Sequence, residues 1–508
     1  MSKRVLLWAT ASIALLLAVV LGTGLAMLRP ARLKAHAERA LSERLNMEVT
    51  IAELDLDLLP RPRITGAGFV FRVRNRPDLA PFVSIDRFYA NVGLLSAMRR
   101  HVNTVHLDGL KIVVPPPEAR RTLAKPGGTG GSTQVIVEQL IAHDAELSFR
   151  PKKPGGRPLT FAIHDLTVRD LGFDRAWPYD ATLTNPVPKG LVKTTGSFGP
   201  WNRDDVALSP LGGEYTLSDA DLGTINGIGG ILQSTGKYDG LLSEIRATGE
   251  SRTPDFSLDL GGKPLPLTTT FVTVIDGTSG TVVLEQVNAK LLNTDIVARG
   301  AITNLEGPGR HDVRIESEIA DGRVEDMLAL AIDSPEPLLE GDLTSKNLLL
   351  LPPGPTKVRR RLEMSGEFGL GKAEFSDAQV QQKLGELSRR SQGKKPEDAI
   401  GRVLTSLRGN YHIKNGIVRL SNLRFRVPGA TVTMAGTYNV DSGALDFRGT
   451  LRMQATVSQA VGGFKSIFLK PFDFMFREDG AGAVIPIRLT GTKDAPKFGL
   501  EMGKVFKK

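Results

Sequence analysis

Residues 415–453 read NGIVRLSNLRFRVPGATVTMAGTYNVDSGALDFRGTLRM. Polar and apolar residues alternate along this segment, as in LRFRV (423–427) and ALDFRGTLRM (444–453). Alternation with a period of two places one face of a β-strand in water and the other on an apolar surface. Glycine, proline and asparagine separate the alternating runs, as they do in turns. The segment therefore predicts successive antiparallel strands joined by short turns.

The same pattern extends through most of the chain. Alternating runs recur at FVFRVR (69–74), VHLDGLKIVV (105–114) and AELSFR (145–150), and 54 glycines and 31 prolines punctuate the sequence. Parallel βα units would need helical patterns between the strands, and few stretches have one. The chain is therefore predicted to form a long antiparallel meander of roughly twenty to thirty strands.

Two segments of the chain have similar sequences, and we call this internal similarity the echo. Residues Thr281–Leu305 align with Ile417–Asp441 at a constant offset of 136 residues, with agreement at apolar positions and at glycines such as Gly300 and Gly436. We interpret these glycines as turn residues. The echo then predicts a repeated strand–turn–strand unit, of the kind that stacks into an elongated sheet.

Helical patterns are few and lie where the strand pattern is interrupted. Apolar residues at a four-residue spacing predict an amphipathic helix over Arg29–Leu45; they are Leu33, Ala37, Leu41 and Leu45. Further helices are predicted at Gly322–Ile332, Ser376–Ser391 and Pro396–Leu407. The glycine-rich stretch KPGGTGGST (125–133) predicts a flexible loop or linker.

The N-terminal region carries a membrane signal. Val5–Leu28 is a run of 24 residues without a charge, and about 20 apolar residues suffice for a helix to cross a bilayer. The run is longer than the apolar core of a cleavable signal peptide. It predicts an uncleaved transmembrane anchor, with a buried core helix as the alternative. Basic residues flank it on both sides, so charge does not settle its orientation.

Composition narrows the classes of function. The chain contains no cysteine, which excludes disulfides, thiolate zinc sites and cysteine nucleophiles. Its formal net charge of +10 favours attraction to anionic lipid headgroups. Aromatic residues are 6% of the chain and do not cluster with basic residues, so no nucleic-acid partner is predicted.

Motifs for catalysis or cofactors are missing. Gly366–Ala373 (GEFGLGKA) has phosphate-loop spacing, but Ala373 stands where a magnesium-binding Ser or Thr is required. No HExxH or GxSxG motif occurs. Asp55 and Asp57 alternate with leucines, which predicts the wet face of a strand rather than an acid–base pair. We therefore predict a protein that is not an enzyme, with no catalytic, cofactor-binding or metal-binding residue.

Long segments in a fixed order resemble the AsmA family of membrane-anchored envelope proteins of Gram-negative bacteria. After the anchor and its helix come LNMEVTIAELDLDLLPRPRITGAGFVF (45–71) and VSIDRFYANVGLLSAMRRHVNTVHLDGLKIVVPPP (83–117). The middle segments GEYTLSDADLGTINGIGGILQSTGKYDG (213–240) and VIDGTSGTVVLEQVNAKLLNTDIVARGAI (274–302) are similar too, as are residues 415–453 and 480–506. No single motif is decisive, and the insert at 376–407 has no clear counterpart.

The resemblance implies a fold and a location. It implies a mainly β protein in which an N-terminal transmembrane helix precedes an elongated, curved, groove-like antiparallel sheet with a few short helices. The anchor would lie in the inner membrane and the body in the periplasm. The predicted organisation is a stub and anchor (1–28), a linker helix (29–46), an N-terminal β region (47–200), a middle β region (201–375), a helical insert (376–408) and a C-terminal β region (409–508).

Three functions follow as hypotheses, and the third is an envelope enzyme whose site no motif in the sequence marks. The first is a protein that binds or conducts phospholipid along an apolar β-groove and so supports outer-membrane lipid homeostasis and assembly. The second is a scaffold that assembles outer-membrane or secreted proteins by strand pairing. The partners would be phospholipid and the inner membrane, with envelope assembly proteins as further candidates.

The candidate site residues belong to apolar surfaces. Nine positions are predicted on the apolar groove face near the C-terminal end, with a closed sandwich core as the alternative: Leu423, Phe425, Val427, Val432, Met434, Leu445, Phe447, Leu451 and Met453. Five phenylalanines are predicted to form a cap or a membrane-touching tip: Phe464, Phe468, Phe472, Phe474 and Phe476.

Overall fold

A computed structural model gives the arrangement of most of the chain. It describes residues 30–45, 47–57, 63–74, 80–91, 101–114, 136–149, 159–172, 175–200, 202, 205–225, 227–259, 261–277, 279–304, 311–354, 358–394, 403–455, 482–492 and 495–500. No helix within these ranges is long and apolar enough to span a bilayer. The predicted anchor, Val5–Leu28, lies outside them.

The described residues form 26 strands and four α-helices. The strands of the first part are β1 (Met47–Thr50), β2 (Glu53–Asp57), β3 (Arg63–Val73), β4 (Val83–Asn91), β5 (His101–Asp108), β6 (Lys111–Val114), β7 (Ile136–Phe149), β8 (Leu159–Leu171), β9 (Trp177–Pro186), β10 (Lys189–Phe198), β11 (Pro210–Asp221), β12 (Ile228–Gly229) and β13 (Ile231–Leu241). Those of the second part are β14 (Glu244–Leu258), β15 (Leu265–Asp276), β16 (Thr281–Leu291), β17 (Thr294–Asn304), β18 (His311–Arg323), β19 (Leu339–Leu351), β20 (Glu363–Phe375), β21 (Thr405–Lys414), β22 (Ile417–Val427), β23 (Ala430–Asn439), β24 (Ala444–Met453), β25 (Ala483–Thr492) and β26 (Ala495–Leu500). The helices are α1 (Pro30–Leu45), α2 (Val324–Ala329), α3 (Val358–Arg361) and α4 (Ala378–Ser391).

These strands build one long, curved sheet. From β7 to β11 and from β13 to β26, each strand pairs antiparallel with the next one along the chain. Strand β13 pairs with β11, and the short β12 pairs with β14. The prediction of a mainly β, antiparallel, elongated sheet is confirmed.

One step in the sheet departs from the predicted meander. Strands β5 and β6 both lie parallel to β7. A parallel neighbour requires a crossover connection rather than a tight turn. Here the connection includes the predicted linker 125–133, which lies outside the described residues.

The first strands pack on helix α1. Ala37 and Leu41, two of the predicted apolar positions, are fully buried with Phe69 and Phe71 of β3. The N–H of Ile51 donates to the Glu38 carboxylate over 2.8 Å, which ties the helix to the strand end. The predicted helix over Arg29–Leu45 is therefore confirmed as α1 (Pro30–Leu45), and Arg29 lies outside the described residues.

The internal repeat is confirmed strand by strand. β16 and β22 both have 11 residues and begin 136 positions apart. The irregularity in pairing falls between Leu284 and Val287 in the first copy and between Leu420 and Leu423 in the second. The register is conserved as well, because Leu284 faces Gly300 and Leu420 faces Gly436.

A helix braces the turn in each copy of the repeat. The buried carboxylate of Asp326 in α2 accepts hydrogen bonds from the N–H of Asn293 and from the Thr294 hydroxyl, both over 2.9 Å. In the second copy the Ser388 hydroxyl of α4 donates to the Pro428 carbonyl over 2.9 Å. Both helices thus lie at the same end of the strands.

The predicted helices are confirmed in part. The segment Gly322–Ile332 contains α2, although Gly322 and Arg323 still belong to β18. The first helix of the insert is α4, where the Asp377 carboxylate accepts from the N–H of Val380 over 2.9 Å as an N-cap.

The prediction for Pro396–Leu407 is wrong at its C-terminal end. Thr405–Leu407 begins strand β21, because Leu407 pairs with Leu370 and Phe425 in the sheet. Residues 395–402 lie outside the described ranges.

Candidate functional site

The sheet has two chemically distinct faces. Exposure alternates residue by residue, as in β13, β16 and β18. We call the less exposed face the inner face and the other the outer face. The strand register, traced through each bulge, assigns every residue to one of the two faces. On this assignment the inner face from β9 to β25 carries no charged residue. Charged residues therefore lie on the outer face of these strands.

Glycines line the middle of the inner face. A Cβ added to Gly213 would lie 2.3 Å from the Thr195 carbonyl oxygen, and one added to Gly449 would lie 1.9 Å from the Thr433 carbonyl oxygen. Such distances mean that the neighbouring strand closes tightly over the inner side of the glycine, which is a device for bending a sheet. We call this set of strand-interior glycines the glycine crease: Gly196, Gly213, Gly236, Gly249, Gly300, Gly366, Gly436 and Gly449.

The interpretation of Gly300 and Gly436 as turn glycines is therefore wrong. Both lie inside strands, at β17 and β23. Gly280 and Gly416 are the true turn glycines of the repeat, with φ of 78° and 75°. Gly366 also lies in a strand interior, so the segment 366–373 forms part of β20 and not a phosphate-binding loop.

Aromatic rings occupy the space above the crease. The position of a Cβ on Gly249 is 2.9 Å from Phe271, and that on Gly436 is 2.7 Å from Phe447. At Gly236 the corresponding neighbour is Tyr215, at 2.8 Å. A flat ring on a neighbouring strand fills the volume that the missing side chain leaves, as in aromatic rescue of glycine.

The polar groups of the inner face bond to one another. The Tyr179 and Tyr238 hydroxyls form a hydrogen bond across Gly196 and Gly213. The Tyr411 hydroxyl donates to the Asn347 side-chain oxygen over 2.7 Å. The Asn347 amide in turn donates to the Ser317 hydroxyl over 3.2 Å. These polar atoms have partners within the sheet.

Burial raises the pKa values of three inner-face phenols further above neutral pH. It raises the pKa of Tyr179 well above its usual value, and the hydrogen bond with Tyr238 raises that pKa further. Burial also raises the pKa values of Tyr215 and Tyr411. Because these phenols stay protonated at neutral pH, the middle of the inner face carries no charge there.

A titration of the tyrosines tests this account of the inner face. Of the 6 tyrosines, we expect Tyr179, Tyr215 and Tyr411 to be more protonated in the folded protein at pH 10 than a free tyrosine, whose pKa is about 10. Their raised pKa values leave the free energy of unfolding unaffected below that pH and lower it as the pH rises further. The ultraviolet absorbance of phenolate measures how many tyrosines are ionised in the folded and in the unfolded protein. Unfolding at pH 10.5 should increase this absorbance, because the three tyrosines then lose their protons more readily. Ionisation of all six tyrosines together near pH 10 in the folded protein would contradict the prediction.

Apolar side chains form a continuous row at the strand ends opposite α2 and α4. Each member is half-buried, and none belongs to the apolar clusters that α2 and α4 cover. The row crosses eleven strands, roughly 50 Å at a strand spacing of about 4.8 Å. We call it the apolar row: Ile245, Ile275, Val282, Ile302, Val313, Leu351, Leu349, Met364, Ile413, Val418, Tyr438 and Leu445.

The nine predicted groove residues all lie on the inner face. Direct cross-strand partners share a face, and the register pairs Leu423 with Met434, Phe425 with Val432, Val432 with Leu451, and Phe447 with Gly436. Val427 and Met453 both face Ala430, and Leu445 faces Tyr438. The structure therefore brings the predicted set together across three adjacent strands.

The nine residues divide into a covered and an open group. Val427 and Met453 are buried, and Phe425 and Leu451 pack against them together with Leu384 and Leu387 of α4. Phe447 is buried above Gly436. The remaining four are half-buried: Leu423, Val432, Met434 and Leu445. The phenylalanine set Phe464, Phe468, Phe472, Phe474 and Phe476 lies outside the described residues.

Sequence reasoning missed the apolar row of β14 to β21 and the glycine crease. A signal for the crease exists, because the motif Gly-x-Tyr occurs at Gly213-Glu-Tyr215, Gly236-Lys-Tyr238, Gly409-Asn-Tyr411 and Gly436-Thr-Tyr438. Residues two apart in a strand share a face, so the motif places a ring beside a glycine on the inner side. Asp55 and Asp57 lie exposed on β2, as predicted.

Known proteins give no further guide to the site. Comparisons with family profiles, with curated proteins and with solved structures find no match for this chain. Within the described part of the chain, no group of three or more His, Asp or Glu side chains is placed to hold a metal ion. The chemistry of the two faces is therefore the basis for a functional assignment.

Proposed function

We propose that the protein binds phospholipid acyl chains along the inner face of its sheet. In this proposal an inner-membrane anchor holds the sheet in the periplasm, where it carries phospholipid and supports outer-membrane lipid homeostasis. The observation that carries the proposal is the apolar row, twelve half-buried side chains that adjoin one another from β14 to β24. The resemblance to AsmA proteins agrees with it.

The energetics favour a flexible apolar ligand. A contiguous, partly exposed apolar surface is a common mark of an interaction site. Each methylene that an acyl chain buries against the row contributes about 0.8 kcal/mol. Burial of this kind is non-directional, so a long apolar face can hold chains of different length without a fixed pocket or a catalytic residue.

The polar groups in the middle of the inner face do not oppose this ligand. Burying a hydroxyl without a partner costs about 1–3 kcal/mol, but the Tyr179, Tyr238 and Tyr411 hydroxyls are already paired within the sheet. An acyl chain lying over them would break no hydrogen bond with the protein. The uncharged inner face is therefore compatible with a lipid along its whole width.

The predicted anchor, the net charge and the family resemblance support the proposed location. Val5–Leu28 is long enough to hold the protein at a bilayer. The formal net charge of +10 favours a position near anionic headgroups. The periplasmic side is taken from the family resemblance.

A lipid-retention assay tests the proposal. The full-length protein is immobilised in neutral detergent, the detergent is removed, and vesicles with radiolabelled phospholipid are passed over it. We expect phospholipid to remain bound after washing and to be displaced by excess unlabelled lipid. A washed protein that retains no more label than an immobilised single-pass helix protein of similar size would refute the proposal.

A further inference from the structure

Charges on the outer face are complementary over most of the sheet. Glu214 of β11 faces Lys237 of β13, and their charged atoms are 2.8 Å apart. Glu318 of β18 faces Lys346 of β19 at 3.3 Å. Opposite charges placed directly across two strands stabilise their pairing. This arrangement is what a solvated outer face requires.

The pattern reverses near the C-terminal end. Arg408 of β21 lies directly opposite Arg424 of β22, and Arg448 of β24 lies directly opposite Arg488 of β25. Arg488 is 3.3 Å from Asp446. Among the described residues, the side chains of Arg408, Arg424 and Arg448 have no ion-pair or hydrogen-bond partner. Like charges in this position destabilise the sheet, so their arrangement points to an anion outside the protein.

The three unpaired arginines line one cavity of about 1060 Å³. The cavity lies on the outer face. Each strand lines it with three consecutive residues, of which the first and third point outward and the middle one points to the inner face. The middle residues therefore line the cavity with their backbone. Thr433 and Thr450, whose hydroxyls are 2.8 Å apart, line it beside Arg424. Glu318 and Glu367 line it from β18 and β20, and Glu318 is paired with Lys346.

We propose that this cavity, the arginine furrow, binds a phosphate-bearing anion. Guanidinium groups present planar forks that match phosphate oxygens. One of the Thr433 and Thr450 hydroxyls donates to the other, so the pair has one hydroxyl hydrogen left to donate to the same anion. The site lies on the face opposite the apolar row, so it stands whether or not the inner face binds acyl chains. The phosphate could belong to a lipid headgroup or to a free phosphorylated molecule.

Isothermal calorimetry on the full-length protein in neutral detergent tests the furrow. The probes are inorganic pyrophosphate, for a free anion, and soluble dihexanoyl phosphatidylglycerol, for a lipid headgroup. We expect at least one probe to bind, with an affinity that falls as salt rises. Binding of pyrophosphate identifies a general phosphate site, and binding of the short-chain lipid alone identifies a headgroup site. Failure of both probes to bind overturns the proposal.

Single substitutions assign the binding to the furrow. Arg424→Gln and Arg448→Gln should each weaken binding about tenfold, since each removes charge-assisted hydrogen bonds. Arg246→Gln is the matched control, because Arg246 is an outer-face arginine paired with Glu285 at 2.8 Å. Arg424→Gln should melt no lower than the wild type, because it relieves the repulsion from Arg408. Unchanged affinity in both furrow variants, or equal weakening by Arg246→Gln, would overturn the assignment.

Discussion

Replacing Gly449 with alanine should lower the melting temperature of the protein by about 1–3 °C, since about 1 kcal/mol corresponds to about 1 °C in a chain of this size. The new Cβ would lie 1.9 Å from the Thr433 carbonyl oxygen and 2.8 Å from the Met434 side chain. The first of these neighbours is backbone within the β23–β24 ladder, so it cannot move aside without disturbing the pairing. Overpacking of this kind costs about 1–3 kcal/mol. Circular dichroism melts measure the loss, and hydrogen exchange should place it in β23, β24 and β25.

The control for this substitution is another glycine. Gly385 lies in α4, and nothing lies within 4 Å of the position of its added Cβ. Gly385→Ala should leave the melting temperature unchanged or raise it, because alanine favours a helix by up to about 1 kcal/mol over glycine. If Gly449→Ala and Gly385→Ala have the same melting temperature, the glycine crease has no role in the bend of the sheet.

Placing carboxylates in the apolar row should abolish most lipid retention. Val418 and Leu445 are half-buried members of the row on β22 and β24. Under a bound acyl chain an aspartate would be desolvated without a partner, at a cost of several kcal/mol. We expect Val418→Asp combined with Leu445→Asp to bind phospholipid at least about tenfold more weakly, since 1.4 kcal/mol corresponds to a factor of ten. The retention assay measures the loss.

Ile417→Asp is the matched control for the row. Ile417 is the chain neighbour of Val418 on the outer face and is 42% exposed. It adds one charge to the same strand as Val418→Asp and leaves the inner face unchanged, so it is compared with Val418→Asp alone as well as with the double variant. Equal loss of lipid in the outer-face and inner-face variants, with all of them folded, would show that the inner face is not the binding surface.

The strands can be predicted from the sequence, but the role of the strand-interior glycines cannot. Alternation in the segment 415–453 predicts β22, β23 and β24, and the echo at 281–305 predicts the same unit earlier in the chain. A glycine in a turn and a glycine in a sharp bend look alike in sequence, because both positions exclude a Cβ. Gly436 therefore resembled the turn residue Gly416, although its constraint is the Asp446 carbonyl oxygen, 2.2 Å from an added Cβ.

The candidate site was predictable only where neighbouring strands were predictable. The nine residues of β22 to β24 share a face because short turns fix the order of these strands. Their division into a covered and an open group depends on α4, whose Leu384 and Leu387 cover one end of the strands. That contact joins segments distant in sequence, so periodicity in one strand does not show it. The parallel pairing of β5 with β7 is non-local in the same way.

A single fluorophore moved between the two faces shows on which face of the sheet the acyl chains lie. The chain has no cysteine, so Val418→Cys and Ile417→Cys each provide one labelling site on adjacent residues of β22. Each labelled full-length protein is mixed with phospholipid whose acyl chains carry bromine, a contact quencher. We expect strong quenching at position 418 and little at position 417, with the same contrast between a label at the inner residue Leu445 and one at the outer residue Asp446. Equal quenching on both faces, or none on either, would contradict the proposal.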